Sequence, residues 1–273
     1  MPAAKSTQER TEDRDFVTAL ARGLDVLNAF GRDSPEMTLS EIAQRTGLSA
    51  ATVRRSLITF EQLGYVRRQG RYFVLAPKVL TLGANYFASM NLKEVAQHDL
   101  AGLVERLHDA ASLTVLDGFE VVYVAHVPSE QRVRHGRNVG TRLPAHATST
   151  GLVLLAHASA AHRASLLAMK DLPAYTSRTP VKPAELKALF ARILRDDYVV
   201  ARDTIEYGSI ALAVPVRDGK GRVVCALNSA GRTGVIDEEQ MVRTRLAPLQ
   251  ETARRIGAML DRYPALAHSV PHF

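Results

Sequence analysis

The stretch from Thr38 to Val74 constrains the fold more than any other part of the chain. Thr38-Leu39-Ser40-Glu41 fits a capping box: the Thr38 hydroxyl accepts from the amide three residues on, and Glu41 reaches back to the Thr38 amide. Met37 and Ile42 stand where a hydrophobic staple belongs, and Gly47 suits the left-handed residue that closes a short helix. A second helix follows at once. Ser49 is its natural N-cap, Leu48 and Val53 its staple, and Val53, Leu57, Phe60 and Leu63 its buried stripe before Gly64 ends it. Two capped helices joined by a short glycine-containing turn make a helix-turn-helix. Tyr65-Val66-Arg67-Arg68 and Arg71-Tyr72-Phe73-Val74 then read as a hairpin turned at Gly70, which makes the unit a winged helix.

Charge is concentrated where such a unit would meet DNA. Between Arg45 and Lys78 the basic residues are Arg45, Arg54, Arg55, Arg67, Arg68, Arg71 and Lys78, against the single acid Glu61. The net charge of +7 over the whole chain permits a polyanionic partner without naming one, whereas this local excess is informative. Arg54 and Arg55 lie off the apolar stripe and are candidates to read base edges in the major groove. Small residues Ser49, Ala50, Ala51 and Thr52 let the backbone approach closely, and Thr38 at the first cap joins the same set. On the wing, Arg67, Arg68 and Arg71 are candidates for phosphate or minor-groove contact.

On either side of this unit the pattern stays helical. Phe16, Leu20, Leu24, Leu27 and Phe30 predict an earlier helix with one apolar stripe, stopped by Gly31 and Asp33-Ser34-Pro35. After Pro77, Val79 to Met90 reads as a linking helix, with Val79, Leu82, Tyr86 and Met90 on a face that can pack on a second copy. Beyond residue 93 the character changes. Leu100, Leu103, Val104 and Leu107 mark a helix, Ser112–Leu116 and Val121–Val127 strands about Asp117-Gly118, and Arg132–Arg137 a further strand. Helices at Thr150–His157 and Pro183–Leu194, strands at Tyr198–Arg202, Leu212–Arg217 and Arg222–Ser229, and a long helix at Asp237–Leu260 complete an α+β domain with a mostly antiparallel sheet. The expected division is a disordered leader (1–15), a winged helix-turn-helix (16–77), a linker helix (78–92), an effector-binding domain (93–262) and a tail (263–273).

Several classes of function fit poorly. Cys225 is the only cysteine, so no intramolecular disulfide or cysteine-rich metal site is available, and its apolar neighbours predict a buried strand residue. The histidines lack ligand spacing, so no metal and no cofactor are expected. Glycine-rich phosphate loops, a Gly-x-Ser-x-Gly turn and a His-Glu-x-x-His helix are all missing, which argues against an enzyme. No apolar run approaches the roughly 20 residues that span a bilayer, and Met1–Arg14 is too polar for a secretory signal, so a cytoplasmic protein is expected.

The residues resemble the IclR family of bacterial regulators along nearly the whole chain. Ala21-Arg22-Gly23-Leu24-Asp25-Val26-Leu27 is similar to that family's first helix. Leu39-Ser40-Glu41-Ile42-Ala43 and Thr52-Val53-Arg54-Arg55-Ser56-Leu57 resemble its helix-turn-helix, and Leu63-Gly64-Tyr65-Val66 with Phe73-Val74-Leu75 its wing. In the second domain the run Gly140 to Gly151, and Glu206-Tyr207-Gly208 followed by Ala213-Val214-Pro215-Val216, look like its effector signatures. The resemblance implies a GAF-like effector domain, operator DNA as partner, homodimers that pair into tetramers, and a small organic acid as inducer. Arg142-Leu143-Pro144 and Thr148-Ser149 resemble most the subgroup that controls aromatic-acid catabolism, such as the protocatechuate and 4-hydroxybenzoate pathways.

Carried over by position, the effector pocket would include Arg132, His135, Thr148, Ser149, Thr150, Ala211, Asn228 and Ala230. Amides at the helix start near Thr148–Gly151 favour a carboxylate, though Thr148 and Ser149 serve equally well as plain caps. On a regular strand Arg132 and Arg134 share a face and His135 takes the other, so Arg132 and His135 reach one pocket only through a bulge. The family commonly has Arg followed by Ser or Cys where this chain has Ile210-Ala211, which removes one route to acid recognition. The leading expectation is a ligand-responsive regulator of a catabolic operon. The alternatives are an architectural DNA-binding protein without a ligand, and an enzyme that carries a helix-turn-helix.

Overall fold

The computed structural model describes residues 15–31, 33–84, 92–129 and 137–260. It divides into two compact units, Pro2–Tyr86 and Phe87–Phe273 (the latter grouped with Met1).

In the first unit, α1 (Thr18–Asn28) leads into β1 (Glu36–Thr38), α2 (Leu39–Thr46), α3 (Ala50–Leu63), β2 (Val66–Gln69) and β3 (Tyr72–Leu75). Local chemistry sets each boundary. Thr38 and Glu41 form the reciprocal capping box, with the Thr38 amide donating to the Glu41 carboxylate at 2.7 Å, a motif worth about 1 kcal/mol. Hydrogen bonds from the Thr38 amide and hydroxyl hold that carboxyl below its ordinary pKa. Ser49 accepts from the Thr52 amide at 3.3 Å, and Gly47 and Gly64 close α2 and α3 at φ of 68° and 80°. At the end of α3, Lys78 donates to the Leu63 carbonyl at 2.8 Å, placing an ammonium on the negative end of the helix dipole.

The core of this unit gathers Val26, Phe30, Met37, Ile42, Val53, Leu57, Val66 and Phe73, with Leu48 and Phe60 packed against it. Two stripe assignments are corrected. Leu20 and Leu24 are 63% and 46% exposed; the inward face of α1 is instead Gly23, Val26 and, just beyond the helix, Phe30. The reason is Gly23: a Cβ there would lie 3.3 Å from Phe60 Cζ, so the glycine turns inward and the leucines outward. Leu63 is half exposed, and the α3 stripe ends at Phe60. The hairpin β2–β3 pairs Val66 with Leu75 and Gln69 with Tyr72, turning at Gly70 with φ 61°. β1 adds a third strand on the far side of β3, giving the order β1-β3-β2. After Pro77–Val79, residues 80–84 are helical and Leu82 is exposed, while Tyr86 and Met90 of the expected linker face lie outside the described residues.

The second unit runs α4 (Leu92–Leu107), β4 (Ala110–Asp117), β5 (Glu120–Val127), β6 (Arg142–Pro144), α5 (Ser149–His157), α6 (Ala160–Leu167), α7 (Pro183–Asp196), β7 (Val199–Arg202), β8 (Ser209–Arg217), β9 (Val223–Arg232) and α8 (Glu238–Leu260). Its six strands form one antiparallel sheet in the order β6-β5-β4-β9-β8-β7. One face carries α4 and α8, which bury Leu100, Leu103, Leu107, Met241, Leu249 and Ile256 and are tied together where Arg255 donates to Asp99 at 3.0 Å. On the other face lie α5 and α7, packing Leu152, Val153, Leu155, Leu186, Phe190 and Ile193 over Leu116, Tyr123, Ala213 and Ala226. Nearly every side chain of α5 is buried, so this helix has no polar face. Cys225 is buried in β9, and burial pushes its thiol far above the ordinary pKa. Among the described residues no helix is long and apolar enough to cross a membrane, and no group of three or more metal-ligating side chains converges.

Candidate functional site

The first candidate surface is built by α3 and the β2–β3 hairpin. Packing of Val53 and Leu57 into the core turns Ala50, Ala51, Arg54 and Arg55 outward, where all four are exposed. Ser49 and Thr52 share a hydroxyl–hydroxyl hydrogen bond of 2.9 Å, so the first turn of α3 is satisfied internally and presents small groups. Thr38 is half-buried and its hydroxyl donates to Glu41 at 2.8 Å, which gives it a capping task first. On the wing Arg67 is exposed. Arg68 folds back to the Gly70 carbonyl at 2.9 Å and lies over the Phe73 ring at 5.8 Å. Arg71 donates to the Tyr72 hydroxyl at 2.8 Å and covers its ring at 5.0 Å. Two wing arginines are thus held in place by the hairpin's own residues.

The second candidate surface is internal. Across β4, β9 and β8 the register aligns Ser112 with Asn228 and Asn228 with Ala213, and the next row aligns Ala110, Ala230 and Ala211. Paired residues share a face, and Ala213 packs in the cluster under α5, so Asn228, Ala211 and Ala230 point toward that helix. Thr114, two residues from Ser112, is on the same face. The rows carry small alanines on three strands, and the polar groups among them are Ser112, Thr114 and Asn228. Ser112 shares a hydrogen bond of 3.0 Å with His126 Nδ1, extending the row to β5.

Three buried polar atoms here have no hydrogen-bond partner: Thr114 Oγ1, Asn228 Oδ1 and Thr150 Oγ1, the last in the first turn of α5. Burial, and after it the charge of Arg137, hold the His126 imidazole below its ordinary pKa. Arg137 in turn donates to Glu206 at 2.8 Å.

Thr148 resolves toward capping: its Oγ1 accepts from the Gly151 amide at 3.2 Å as N-cap of α5. Ser149 and Thr150 are buried at the same helix start. Arg132 and His135 lie outside the described residues. The sequence alone does not single out Ser112, Thr114, His126 or Arg137, and it offers Glu206 only within the Glu206-Tyr207-Gly208 signature. Ser112 and Thr114 did leave a signal, since two hydroxyls at alternate positions of an apolar strand mark one polar stripe on a buried face.

Both units match known family models. A family model described as the IclR helix-turn-helix domain matches residues 19–70, and one described as the bacterial transcriptional regulator IclR C-terminal region matches residues 84–258. The chain is 37% identical to the Pca regulon regulatory protein of Pseudomonas putida, over 92% of this chain and 87% of that protein. It is 34% identical to the p-hydroxybenzoate hydroxylase transcriptional activator of Acinetobacter baylyi, over 92% of this chain and 94% of that protein. Among solved structures it is similar to an IclR homolog from Microbacterium hydrocarbonoxydans complexed with 4-hydroxybenzoate, with a TM-score of 0.78 at 29% identity, covering 89% of this chain and 99% of that one. Two family models matched in order, over the two units that carry the winged helix and the polar-floored sheet, show that this chain belongs to the IclR family of bacterial transcriptional regulators.

Proposed function

We propose that this regulator senses a hydroxylated aromatic carboxylate and alters its grip on a catabolic operator in response. The observation that carries the reading is the trio of unpartnered buried atoms, Thr114 Oγ1, Asn228 Oδ1 and Thr150 Oγ1, between α5 and the alanine-lined sheet. Each costs roughly 1–3 kcal/mol while unsatisfied, and a ligand offering hydroxyl and ring would recover that loss. Asn228 Oδ1 suits a phenolic O–H donor, the two threonines suit acceptors, and the alanine floor suits a flat ring. The names of the relatives from Pseudomonas putida and Acinetobacter baylyi, and the 4-hydroxybenzoate held by the Microbacterium homolog, point to the same chemistry.

In this reading Ser149, Thr150, Ala211, Asn228 and Ala230 line the effector site together with Ser112, Thr114 and His126, and Thr148 positions the helix. Ala50, Ala51, Arg54 and Arg55 approach base edges, while Arg67, Arg68 and Arg71 hold phosphate. The protein acts by binding and not by turnover, in the cytoplasm, as a homodimer that pairs two winged helices and assembles further as a dimer of dimers. A thermal-shift panel of aromatic carboxylates, followed by operator-binding titrations with and without each hit, tests it. Stabilisation by hydroxybenzoates together with a shift in operator affinity is expected. A flat response to the whole panel would favour a purely architectural DNA-binding role, and conversion of any acid to product would overturn the non-enzymatic reading.

A further inference from the structure

One ion pair beside the polar row is not used by the reading above. Arg137 donates to Glu206 Oε1 at 2.8 Å, and only 18% of the Arg137 side chain meets solvent. The partners stand 69 positions apart, so the fold alone brings them together. Three residues beyond Arg137 the Gly140 amide donates to the Tyr123 carbonyl of β5, the strand whose His126 shares a hydrogen bond with Ser112, next to Asn228. Glu206 lies three residues before β8, whose Ala213 pairs with Asn228. The ion pair therefore links the β5 side and the β8 side of the strands that carry the row Ser112–Asn228–Ala213.

Glu206 belongs to the loop between β7 and β8, which is fastened to the approach of α5. Thr204 Oγ1 donates to the Ala147 carbonyl at 2.7 Å, in the turn that immediately precedes that helix. Asp203 Oδ1 accepts from the Gly208 and Ser209 amides at 2.7 and 3.2 Å, and Thr179 Oγ1 donates to the Thr204 carbonyl at 2.6 Å.

A guanidinium this far withdrawn from water needs an anion. Glu206 supplies it. An incoming carboxylate offers the same two-oxygen geometry and preserves the charged hydrogen bonding, whereas a neutral amide or alcohol does not. We propose that Arg137 is the carboxylate-recognising residue of the effector site and that Glu206 is its built-in competitor, displaced when an aromatic acid binds. The inference rests on the effector reading above and adds the residue that makes the site acid-specific. It also supplies a signal. Displacing Glu206 frees one of the anchors of a loop that Thr204 ties to the Ala145–Ala147 turn, so occupancy is reported at the start of α5 by a change of ion partner.

The test compares binding of 4-hydroxybenzoate and its neutral isostere 4-hydroxybenzamide to the full chain by calorimetry, with 3,4-dihydroxybenzoate and its amide as a second pair. The wild type is expected to prefer acid over amide by roughly tenfold or more. Arg137→Met should bring the two to near parity with amide affinity unchanged, and Arg137→Lys should restore part of the preference. Glu206→Gln should tighten the acid by roughly tenfold and leave the amide alone, because the competitor is gone. A full acid preference in folded Arg137→Met, or unchanged acid affinity in Glu206→Gln, overturns the exchange while leaving the effector site standing. Should Arg137→Met unfold, Arg137→Lys and Glu206→Gln decide between the same outcomes. Failure of the wild type to bind any hydroxylated aromatic acid overturns the effector reading and this inference together.

Discussion

Gly151 lies against Ala145 so closely that a Cβ on it would stand 2.2 Å from the Ala145 carbonyl oxygen and 2.4 Å from its Cα. No side chain fits between the first turn of α5 and the turn that leads into it. Gly151→Ala must push the two apart, at or above the usual overpacking cost of about 1–3 kcal/mol. The unfolding temperature of the full chain is expected to fall by roughly 5 °C or more, with effector binding lost first. An unchanged melting curve would show that the turn yields freely.

Thr114 holds a buried hydroxyl with no partner. Thr114→Val keeps the shape and removes the unsatisfied group, so the ligand-free protein should gain about 1 kcal/mol in denaturant unfolding. The same change should weaken binding of a hydroxylated aromatic acid. Stability gained together with affinity lost marks a site kept polar for its ligand; stability lost instead would show that the hydroxyl serves the fold.

Four histidines in the second unit, His126, His146, His157 and His162, are held below their ordinary pKa, with burial the largest cause in each. Below the unfolded value of about 6.5 the unfolded chain binds protons that the folded one resists. Their contribution is therefore complete above pH 6.5 and is lost as the pH falls through the lower folded values. The melting temperature should decline from pH 7 toward pH 5, before carboxylates such as Asp218, itself lowered by Arg222 and backbone amides, begin to protonate. His146→Gln keeps a donor for the Pro173 carbonyl and should make that slope shallower.

Arg55 and Arg67 are both exposed but differ in surroundings, one on the core-braced helix α3 and one on the wing. Arg55→Ala should cost roughly 1–3 kcal/mol on the cognate operator and much less on unrelated DNA. Arg67→Ala should weaken both about equally and reduce the slope of log affinity against log salt by about one. Equal losses for Arg55→Ala on the two DNAs would assign it to phosphate.

The parts of the fold legible in the sequence are those set by neighbouring residues. The Thr38–Glu41 box, the Ser49 cap and the positive-φ glycines 47, 64 and 70 all lie where local rules put them. Elements that tertiary packing decides were harder to read. β1 is a strand because β3 pairs with it, and three residues ending on a helix cap carry no period of their own. β6 likewise exists only as a partner for β5, and α6 went unread. On α1 the apolar spacing places Leu27 and Phe30 against the core but puts Leu20 and Leu24 on the wrong face, because the Phe60 ring packs against Gly23. At the candidate site the resemblance offers Asn228 and Thr150 as expectations, while Arg137 and Glu206 are joined by a contact that nothing in the linear order announces.

The six-stranded sheet places its shortest strands at its margins. β6 has three residues and β7 four, against eight to ten in the four strands between them. Short borders present few open amides and carbonyls in a row, so another chain finds little template for strand addition. The chain can thus keep a long apolar sheet without recruiting its neighbours into fibrils.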